Sequence, residues 1–373
     1  MMSLEALTEI SRCYGGNPEY VLAGGGNTSW KDEETLYVKS SGTSLADAVP
    51  DSFVRMDRRA LALIWEKLYP QSNEERESAV LADMIAARKS GEGQKRPSVE
   101  ALLHSLLPFS FVVHLHPALV NGICCSRQGE AAVREIFGET VLWIPSTNPG
   151  YVLSKTVKTA MDECGSNVPA VIFMQNHGVF AGAESTDAVK ALYDGMMRKI
   201  GERIQRHPDF ADSAPRTEGT VRFCENKLRI MQVLKELAGA SAFMSGGEID
   251  SLVKNRDSFT PVSSAFTPDH IVYSGSDPLF AETDTDEGIR AAWNEHTRKT
   301  GMKPKIAAVQ GMGIFSAATS EKAAHLALDL FKDTIKVSVY SESFGGQLFM
   351  AQDKIDFINN WEVERFRVSV STK

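Results

Sequence analysis

Three features that define large classes of proteins are missing from this sequence. No apolar run approaches the ~18 residues that a membrane span requires, so we expect no transmembrane segment. The first residues have neither a basic flank nor an apolar core, so they do not resemble a secretory signal. The formal net charge is −8, whereas a nucleic-acid-binding protein needs a basic face against the phosphate backbone. These absences predict a cytoplasmic protein with no membrane or nucleic-acid partner.

Cysteine is also scarce and irregularly spaced. The chain has five cysteines, an odd number without the spacing of a metal-binding cluster. Disulfide frameworks and zinc–cysteine sites use paired cysteines at regular spacings. We therefore interpret all five as reduced thiols: Cys13, Cys124, Cys125, Cys164 and Cys224.

The composition is ordinary for a globular protein, with 43% hydrophobic and 24% charged residues among 373. This length is comfortable for two domains, which usually span about 50–250 residues each. A polar, proline-containing segment before Gly219 is typical of a linker. We therefore predict domains at residues 1–210 and 220–373.

The clearest chemical signal is a pair of histidines at the end of an apolar segment. Residues 111–117 read Phe-Val-Val-His-Leu-His-Pro, which predicts a buried strand stopped by Pro117. Side chains alternate between the faces of a strand, so His114 and His116 point the same way. Two imidazoles on one face are half of a metal site, because a catalytic zinc uses three protein ligands and keeps one open position.

A third histidine interrupts a second apolar segment. Residues 169–180 are broken at His177, and the adjacent Gly178 permits a sharp turn there. His177 is therefore the predicted third ligand. Four further histidines lack metal-type spacing and are interpreted as structural or surface residues: His207, His270, His296 and His325.

Two small polar turns precede these segments. Three glycines lead into Asn27 and Thr28, and Ser41 and Gly42 follow a predicted strand. Glycines let backbone amides approach an anion closely, and Asn, Thr and Ser add donors. The turns are compatible with two halves of a phosphate cradle, but by themselves they favour ordinary hairpin turns. Neither is a Walker loop, because no Lys-Ser or Lys-Thr follows at the required spacing.

Pro97 and Ser98 predict the start of a helix with Ser98 as its N-cap. Glu100 then lies in the first turn and shares a helix face with His104. An acidic residue at this place is often only a partner for the helix dipole. The residue pattern alone therefore leaves the role of Glu100 open.

The second half of the chain repeats a segment of the first. Residues 169–188 align without a gap with residues 304–323, and His177 aligns with Met312, a poor ligand for a borderline metal. A softer alignment pairs the two-histidine strand with residues 266–276, where serines replace the histidines. We infer an internal duplication whose second copy has lost its metal ligands and serves a structural or oligomerisation role. Chance similarity of two apolar strands is the alternative.

Five segments taken together resemble the class II aldolase/adducin family. They are Gly26-Asn27-Thr28-Ser29, Ser41-Gly42-Thr43, Pro97-Ser98-Val99-Glu100, His114-Leu115-His116-Pro117 and Asn176-His177-Gly178. The C-terminal half is similar to the extension in the aldolase part of bacterial bifunctional rhamnulose-1-phosphate aldolase/lactaldehyde dehydrogenase proteins. No dehydrogenase module is expected after it.

The resemblance implies a fold and a set of site residues. The fold would be of the α/β class, a three-layer α-β-α sandwich around a mainly antiparallel sheet, followed by a degenerate copy without metal ligands. A divalent metal, usually zinc, would bind His114, His116 and His177, and Glu100 would be the catalytic carboxylate that moves a proton at the reacting carbon. The substrate phosphate would be held by Asn27, Thr28, Ser41, Gly42 and Ser98.

The implied reaction is the cleavage of a ketose 1-phosphate, such as rhamnulose or fuculose 1-phosphate, to dihydroxyacetone phosphate and an aldehyde. Sugar-phosphate 4-epimerases and dehydratases of the family use the same residues, so these reactions stay open. A non-catalytic adducin-like protein and a regulatory sugar-phosphate binder are further alternatives, but the intact histidine set favours an enzyme. The resemblance also implies a homo-oligomer, commonly a tetramer.

Two departures from the family pattern concern the substrate. Related aldolases often have two serines before the glutamate, whereas Ser98 is followed here by Val99. They also use a tyrosine to protonate the leaving aldehyde. No motif identifies that tyrosine, and Tyr151 is a candidate by location alone.

Overall fold

The computed structural model describes residues 2–165, 167–211 and 220–363. Residues 212–219, which hold the second part of the predicted linker, lie outside the described residues. Each half of the chain forms one β-sheet with helices on both faces. Within the described ranges, no helix is both long and apolar enough to cross a membrane.

The first sheet has seven strands: β1 (Asn27–Lys31), β2 (Thr35–Lys39), β3 (Phe53–Asp57), β4 (Phe111–Leu115), β5 (Val141–Ile144), β6 (Val171–Met174) and β7 (Gly178–Ala183). Their order is β3-β2-β1-β4-β7-β6-β5. Every neighbouring pair is antiparallel except β5 and β6, which are parallel. The mainly antiparallel sheet expected from the sequence is therefore present.

Helices cover this sheet on both sides. They are α1 (Met2–Gly15), α2 (Arg58–Ile64), α3 (Asn73–Ala86), α4 (Ala101–Leu106), α5 (Ala118–Cys124), α6 (Gly129–Phe137), α7 (Tyr151–Cys164) and α8 (Thr186–Gly201). Val113 and Val179 pack on one side with residues of α1, α5 and α8. Val112 and Phe180 pack on the other with residues of α4 and α7. Because neighbouring strand residues point to opposite faces, this alternation builds the expected three-layer α-β-α sandwich.

The second sheet lies in the C-terminal half. Its elements are α9 (Thr220–Ala238), β8 (Ala240–Met244), α10 (Gly247–Leu252), α11 (Arg256–Phe259), β9 (Leu279–Ala281), α12 (Asp286–Thr300), β10 (Ile306–Val309), β11 (Gly313–Ala318), α13 (Glu321–Ser341) and α14 (Gln352–Asn360). The strand order is β8-β11-β10-β9, antiparallel except for β9 and β10. Helices α9 and α12 cover one face and α13 covers the other.

The hairpins β6–β7 and β10–β11 have the same geometry. Met174 pairs with Gly178 in one, and Val309 pairs with Gly313 in the other. The turn of each hairpin contains a residue with positive φ, 58° at Asn176 and 69° at Gly311. This shared register is the one that the predicted duplication implies.

The softer alignment of residues 266–276 with the two-histidine strand is wrong. These residues contain a π-helical turn, His270–Ser274, rather than a strand. The strand that pairs with β11 as β4 pairs with β7 is β8. His114 lies opposite Phe180, and Phe243 lies opposite Phe315, so Phe243 occupies the place of His114 in the second sheet.

The C-terminal half packs directly against the first sheet domain. Helix α13 lies along α5, and Val337 and Tyr340 of α13 belong to the same apolar core as Ile123 of α5. Gly122 permits this close approach, because a Cβ at that position would overlap Tyr340. The apolar core of the first half therefore includes residues of the second.

We expect Gly122→Ala to lower the free energy of unfolding by about 1–3 kcal/mol, the usual cost of overpacking a core. Gly195→Ala is the matched control, since Gly195 is also helical and an added Cβ there meets nothing within 4 Å. The control should be stabilising by about 0.4–1 kcal/mol. Urea unfolding measures both changes, and equal stability of the two variants would contradict the close packing of α13 on α5.

Candidate functional site

Three histidines meet at one end of the first sheet. His114 lies near the end of β4, His116 directly follows that strand, and His177 lies in the turn between β6 and β7. One ring nitrogen from each lies within 4.8 Å of the other two. The predicted ligand set is therefore brought together in space.

Strand pairing and a tight turn produce this convergence. Strands β4 and β7 are antiparallel neighbours, so the end of β4 lies beside the start of β7. Asn176 adopts a left-handed conformation before His177, one that Asn tolerates better than most residues. A Cβ at Gly178 would lie 2.6 Å from Cδ2 of His116, so only glycine fits there.

The hydrogen bonds of the imidazoles fix their orientation. Nδ1 of His114 donates to the carbonyl oxygen of Val179 at 3.0 Å, and Nδ1 of His116 donates to Oδ2 of Asp269 at 2.5 Å. Both acceptors are oxygens, so each Nδ1 carries a proton, and in the neutral form of each ring the lone pair lies on Nε2. Burial lowers the pKa of His177 to about 3, so the ring of His177 is neutral near pH 7.

The two Nε2 atoms of His114 and His116 lie 2.8 Å apart. Two lone pairs repel at this distance unless a cation lies between or beside them. The Glu100 carboxylate places further electron-rich atoms beside the histidines. Its Oε2 lies 3.4 Å from Nε2 of His114, and its Oε1 lies 3.4 Å from Nε2 of His177. Oε1 is buried and makes no hydrogen bond within the described residues. This donor set fits a divalent metal.

The sequence predicts that Glu100 lies in the first turn of a helix. In the structure it instead occupies the N-cap position, directly before the helix. Helix α4 begins at Ala101 with Glu100 as its N-cap residue, and the Ser98 hydroxyl accepts a hydrogen bond from the Glu100 backbone at 3.2 Å. The chain is therefore not yet helical at Glu100. This conformation aims the carboxylate at the histidines and away from the outer face of the helix.

A buried hydrogen-bonded chain holds the Glu100 carboxylate. Nδ2 of Asn27 donates to Oε2 of Glu100 at 2.6 Å, while its Oδ1 pairs with Nε2 of His104. Nδ1 of His104 pairs with the Ser29 hydroxyl at 2.7 Å. Burial is the main cause that lowers the pKa of His104 well below its usual range, so the ring is neutral. The Asn27 amide nitrogen faces the Glu100 carboxylate, and its oxygen accepts from Nε2–H of His104, so these two contacts fix the orientation of the amide.

A polar cavity opens beside the histidines. Among the predicted residues, it is lined by Asn27, Ser41, Gly42, Ser98, Glu100, His116 and His177. The amide of Asn27 is already bonded to Glu100 and His104. Thr28 does not line the cavity, because it lies on the opposite face of β1 and its hydroxyl is 2.7 Å from that of Ser11. The Thr28 side chain therefore does not face the cavity where phosphate binding was predicted.

Two residues of the site were not predicted from the sequence. Lys39, at the end of β2, lines the cavity and donates to the carbonyl oxygen of Gly24 at 3.3 Å. Its place two residues before Ser41 was an available signal. Asp269 reaches His116 from the C-terminal half, and no local sequence signal marks it. Tyr151 packs against aromatic rings outside the cavity.

The chain is similar to known proteins in sequence and in structure. The chain is 22% identical to the Bacillus subtilis protein described as "Uncharacterized oxidoreductase YuxG", over 99% of this chain and 58% of that protein. It therefore spans less than two thirds of this curated relative.

Solved structures similar to the chain cover about half of its length. An N-terminal class II aldolase domain from Thermoplasma acidophilum is 24% identical, with a TM-score of 0.46 over 53% of this chain and 92% of that one. An L-fuculose-1-phosphate aldolase from Thermus thermophilus is 14% identical, with a TM-score of 0.36 over 54% and 94%. The family model of the class II aldolase and adducin N-terminal domain matches residues 5–197, just over half of the 373 residues. The protein belongs to the class II aldolase and adducin family.

Proposed function

We propose that the protein is a metal-dependent aldolase that cleaves a ketose 1-phosphate to dihydroxyacetone phosphate and an aldehyde. The observation that carries the proposal is the convergence of three imidazoles and the Glu100 carboxylate beside a polar cavity. His114, His116 and His177 would hold the metal, which we propose to be zinc because imidazole suits this ion. When bound, the metal supplies Lewis-acid polarisation of the substrate's carbonyl and hydroxyl oxygens.

Glu100 is proposed to carry the proton at the carbon where the bond is broken or formed. Asn27 holds Oε2 in place, whereas Oε1 has no hydrogen-bond donor among the described residues. When the carbon–carbon bond breaks, the hydroxyl on the aldehyde side gives its proton to solvent and becomes the aldehyde carbonyl, and the electron pair of the bond stays on the three-carbon fragment. The Glu100 carboxyl then gives its proton to the carbon of this fragment, and solvent protonates the resulting carboxylate again. In the condensation direction the same proton returns to Glu100. A carboxyl group fixed at one oxygen and open at the other suits this general acid–base role.

The substrate phosphate is proposed to bind at the mouth of the cavity. Ser41, Gly42 and Ser98 line this part, and Gly42 has a positive φ of 85° that brings backbone close to a ligand. The Lys39 ammonium adds a positive charge that suits a phosphate. Asn27 is proposed to position Glu100, because both ends of its amide already have partners.

We expect Lys39→Met to raise KM for a ketose 1-phosphate while leaving metal content unchanged. A hydrogen bond to a charged group contributes about 1.5–3 kcal/mol, so KM should rise by about 10- to 150-fold. The matched control is Lys95→Met, since Lys95 pairs with Asp51 on the surface and does not line the cavity. Steady-state kinetics measures both variants. An unchanged KM in Lys39→Met would show that Lys39 does not bind the substrate phosphate.

The proposed function is tested by elemental analysis together with product release from rhamnulose 1-phosphate and fuculose 1-phosphate. We expect about one divalent metal ion per chain and release of dihydroxyacetone phosphate, detected by a coupled reductase assay. Bound metal without cleavage of either sugar would favour an epimerase or a dehydratase. Absence of metal from protein purified without chelator would contradict the proposal and favour a binding protein.

A further inference from the structure

Asp269 connects the C-terminal half of the chain to the histidine cluster. It directly precedes the π-helical turn His270–Ser274, far along the chain from the family domain matched at residues 5–197. Its Oδ2 accepts a hydrogen bond from Nδ1 of His116 at 2.5 Å. The side chains are 6% and 8% exposed, so water screens this contact little. A residue of the second half therefore fixes a histidine of the first.

The glycine-rich loop of the first half makes room for this carboxylate. A Cβ at Gly25 would lie 2.6 Å from Oδ2 of Asp269. The middle glycine of the triplet therefore contacts the carboxylate that orients His116. Glycine is therefore required at position 25 because a larger side chain would overlap Asp269, a reason that is separate from phosphate binding.

A second contact from the C-terminal half reaches the turn that carries His177. Nδ2 of Asn176 donates to the carbonyl oxygen of Leu348 at 2.9 Å. Asn176 is the left-handed residue that directly precedes His177. Both histidine-bearing segments are thus held by groups from the C-terminal half.

We propose that Asp269 is a positioning residue for the metal centre, so that the C-terminal half is part of the site rather than only a structural or oligomerisation domain. The inference rests on the proposed function, since it assumes that the histidines bind metal. A carboxylate that accepts from Nδ1–H holds the ring in the tautomer whose Nε2 lone pair faces the metal, and it makes that nitrogen a better donor. Removal of such an outer partner typically weakens metal binding by about 10- to 100-fold.

The test compares Asp269→Asn with Asp333→Asn. The chain offers this control because Asp333 and His270 form a second buried aspartate–histidine pair at 3.0 Å, whose histidine is not one of the three in the cluster. Each protein is stripped of metal and titrated with Co²⁺ against a chelating dye, and the visible absorption of the bound Co²⁺ is recorded. Urea unfolding of the metal-free proteins measures any purely structural effect of each substitution.

We expect Asp269→Asn to weaken Co²⁺ binding by about 10- to 100-fold and to change the visible spectrum. Asp333→Asn should bind Co²⁺ with wild-type affinity and spectrum even where it unfolds more easily. Wild-type affinity in Asp269→Asn would overturn the inference and leave the proposed function intact. Failure of the wild-type protein to bind any metal would overturn the proposed function, and the inference with it.

Gly25→Ala provides a second variant that keeps the carboxylate. The added Cβ would displace Oδ2 of Asp269 and also approach the carbonyl oxygen of Leu22 at 3.0 Å. We expect weaker Co²⁺ binding in the same direction as Asp269→Asn. Unchanged affinity and spectrum in a folded Gly25→Ala protein would contradict a positioning role for this contact.

Discussion

Replacement of His177 by alanine is expected to remove bound metal and turnover together while the fold persists. The substitution deletes one of three nitrogens that lie within 4.8 Å of one another. Loss of a residue that only hydrogen-bonds to a ligand weakens metal binding by up to about 100-fold. Loss of the ligand itself should weaken it by more. Turnover should fall by about 1,000-fold or more, because Lewis-acid stabilisation is worth several kcal/mol. Elemental analysis and release of dihydroxyacetone phosphate measure the two losses.

Met312→Leu is the control for this experiment. Met312 aligns with His177 in the second hairpin and is 7% exposed, and leucine conserves its volume. Metal content and turnover should stay at the wild-type level in this variant. Wild-type turnover in His177→Ala would refute the metal assignment. Loss of metal from Met312→Leu would mean that the second half also contributes a ligand.

The second large effect is expected for Glu100→Gln, which should retain metal but lose proton transfer. The amide keeps an oxygen that can accept from Asn27, but it cannot exchange a proton with a carbon atom. A positioned acid–base group typically contributes about 100- to 10,000-fold to the rate. The sharpest measurement is exchange of the carbon-bound hydrogen of dihydroxyacetone phosphate in deuterated water, followed by NMR. This reaction needs no aldehyde and isolates the step assigned to Glu100.

Glu77→Gln is the matched control for Glu100→Gln. Glu77 is another buried carboxylate of the first half, and its Oε2 accepts from the Tyr151 backbone at 2.9 Å outside the cavity. Exchange should proceed at the wild-type rate in this variant. Wild-type exchange in Glu100→Gln with metal retained would exclude Glu100 as the proton carrier and assign the step to another group.

Short-range patterns in the sequence were sufficient to predict that His114, His116 and His177 form a cluster. The two-residue spacing of His114 and His116 follows from the period of a strand, and Gly178 indicated a turn beside His177. The hairpin repeat was also visible, because matching residues at one fixed offset preserve strand register. These features depend on neighbours along the chain, which the sequence displays directly.

Errors and omissions arose where the outcome depended on distant residues. The sequence does not show that α4 begins at Ala101, after Glu100 has turned toward the cavity. It also does not show that the Thr28 hydroxyl faces Ser11 on α1. The place of His114 in the second sheet belongs to Phe243, which strand pairing with β11 reveals and sequence similarity did not.

The sequence by itself determined the family, since histidines, a glutamate and small polar turns occur in the order and spacing of its members. Only the tertiary structure decided how these groups are held. It brought Lys39 into the cavity, bonded Asn27 to both Glu100 and His104, and placed Asp269 against His116. The physical reason is that orienting a side chain requires a partner across space, and the partner's distance along the chain leaves no periodic trace in the sequence.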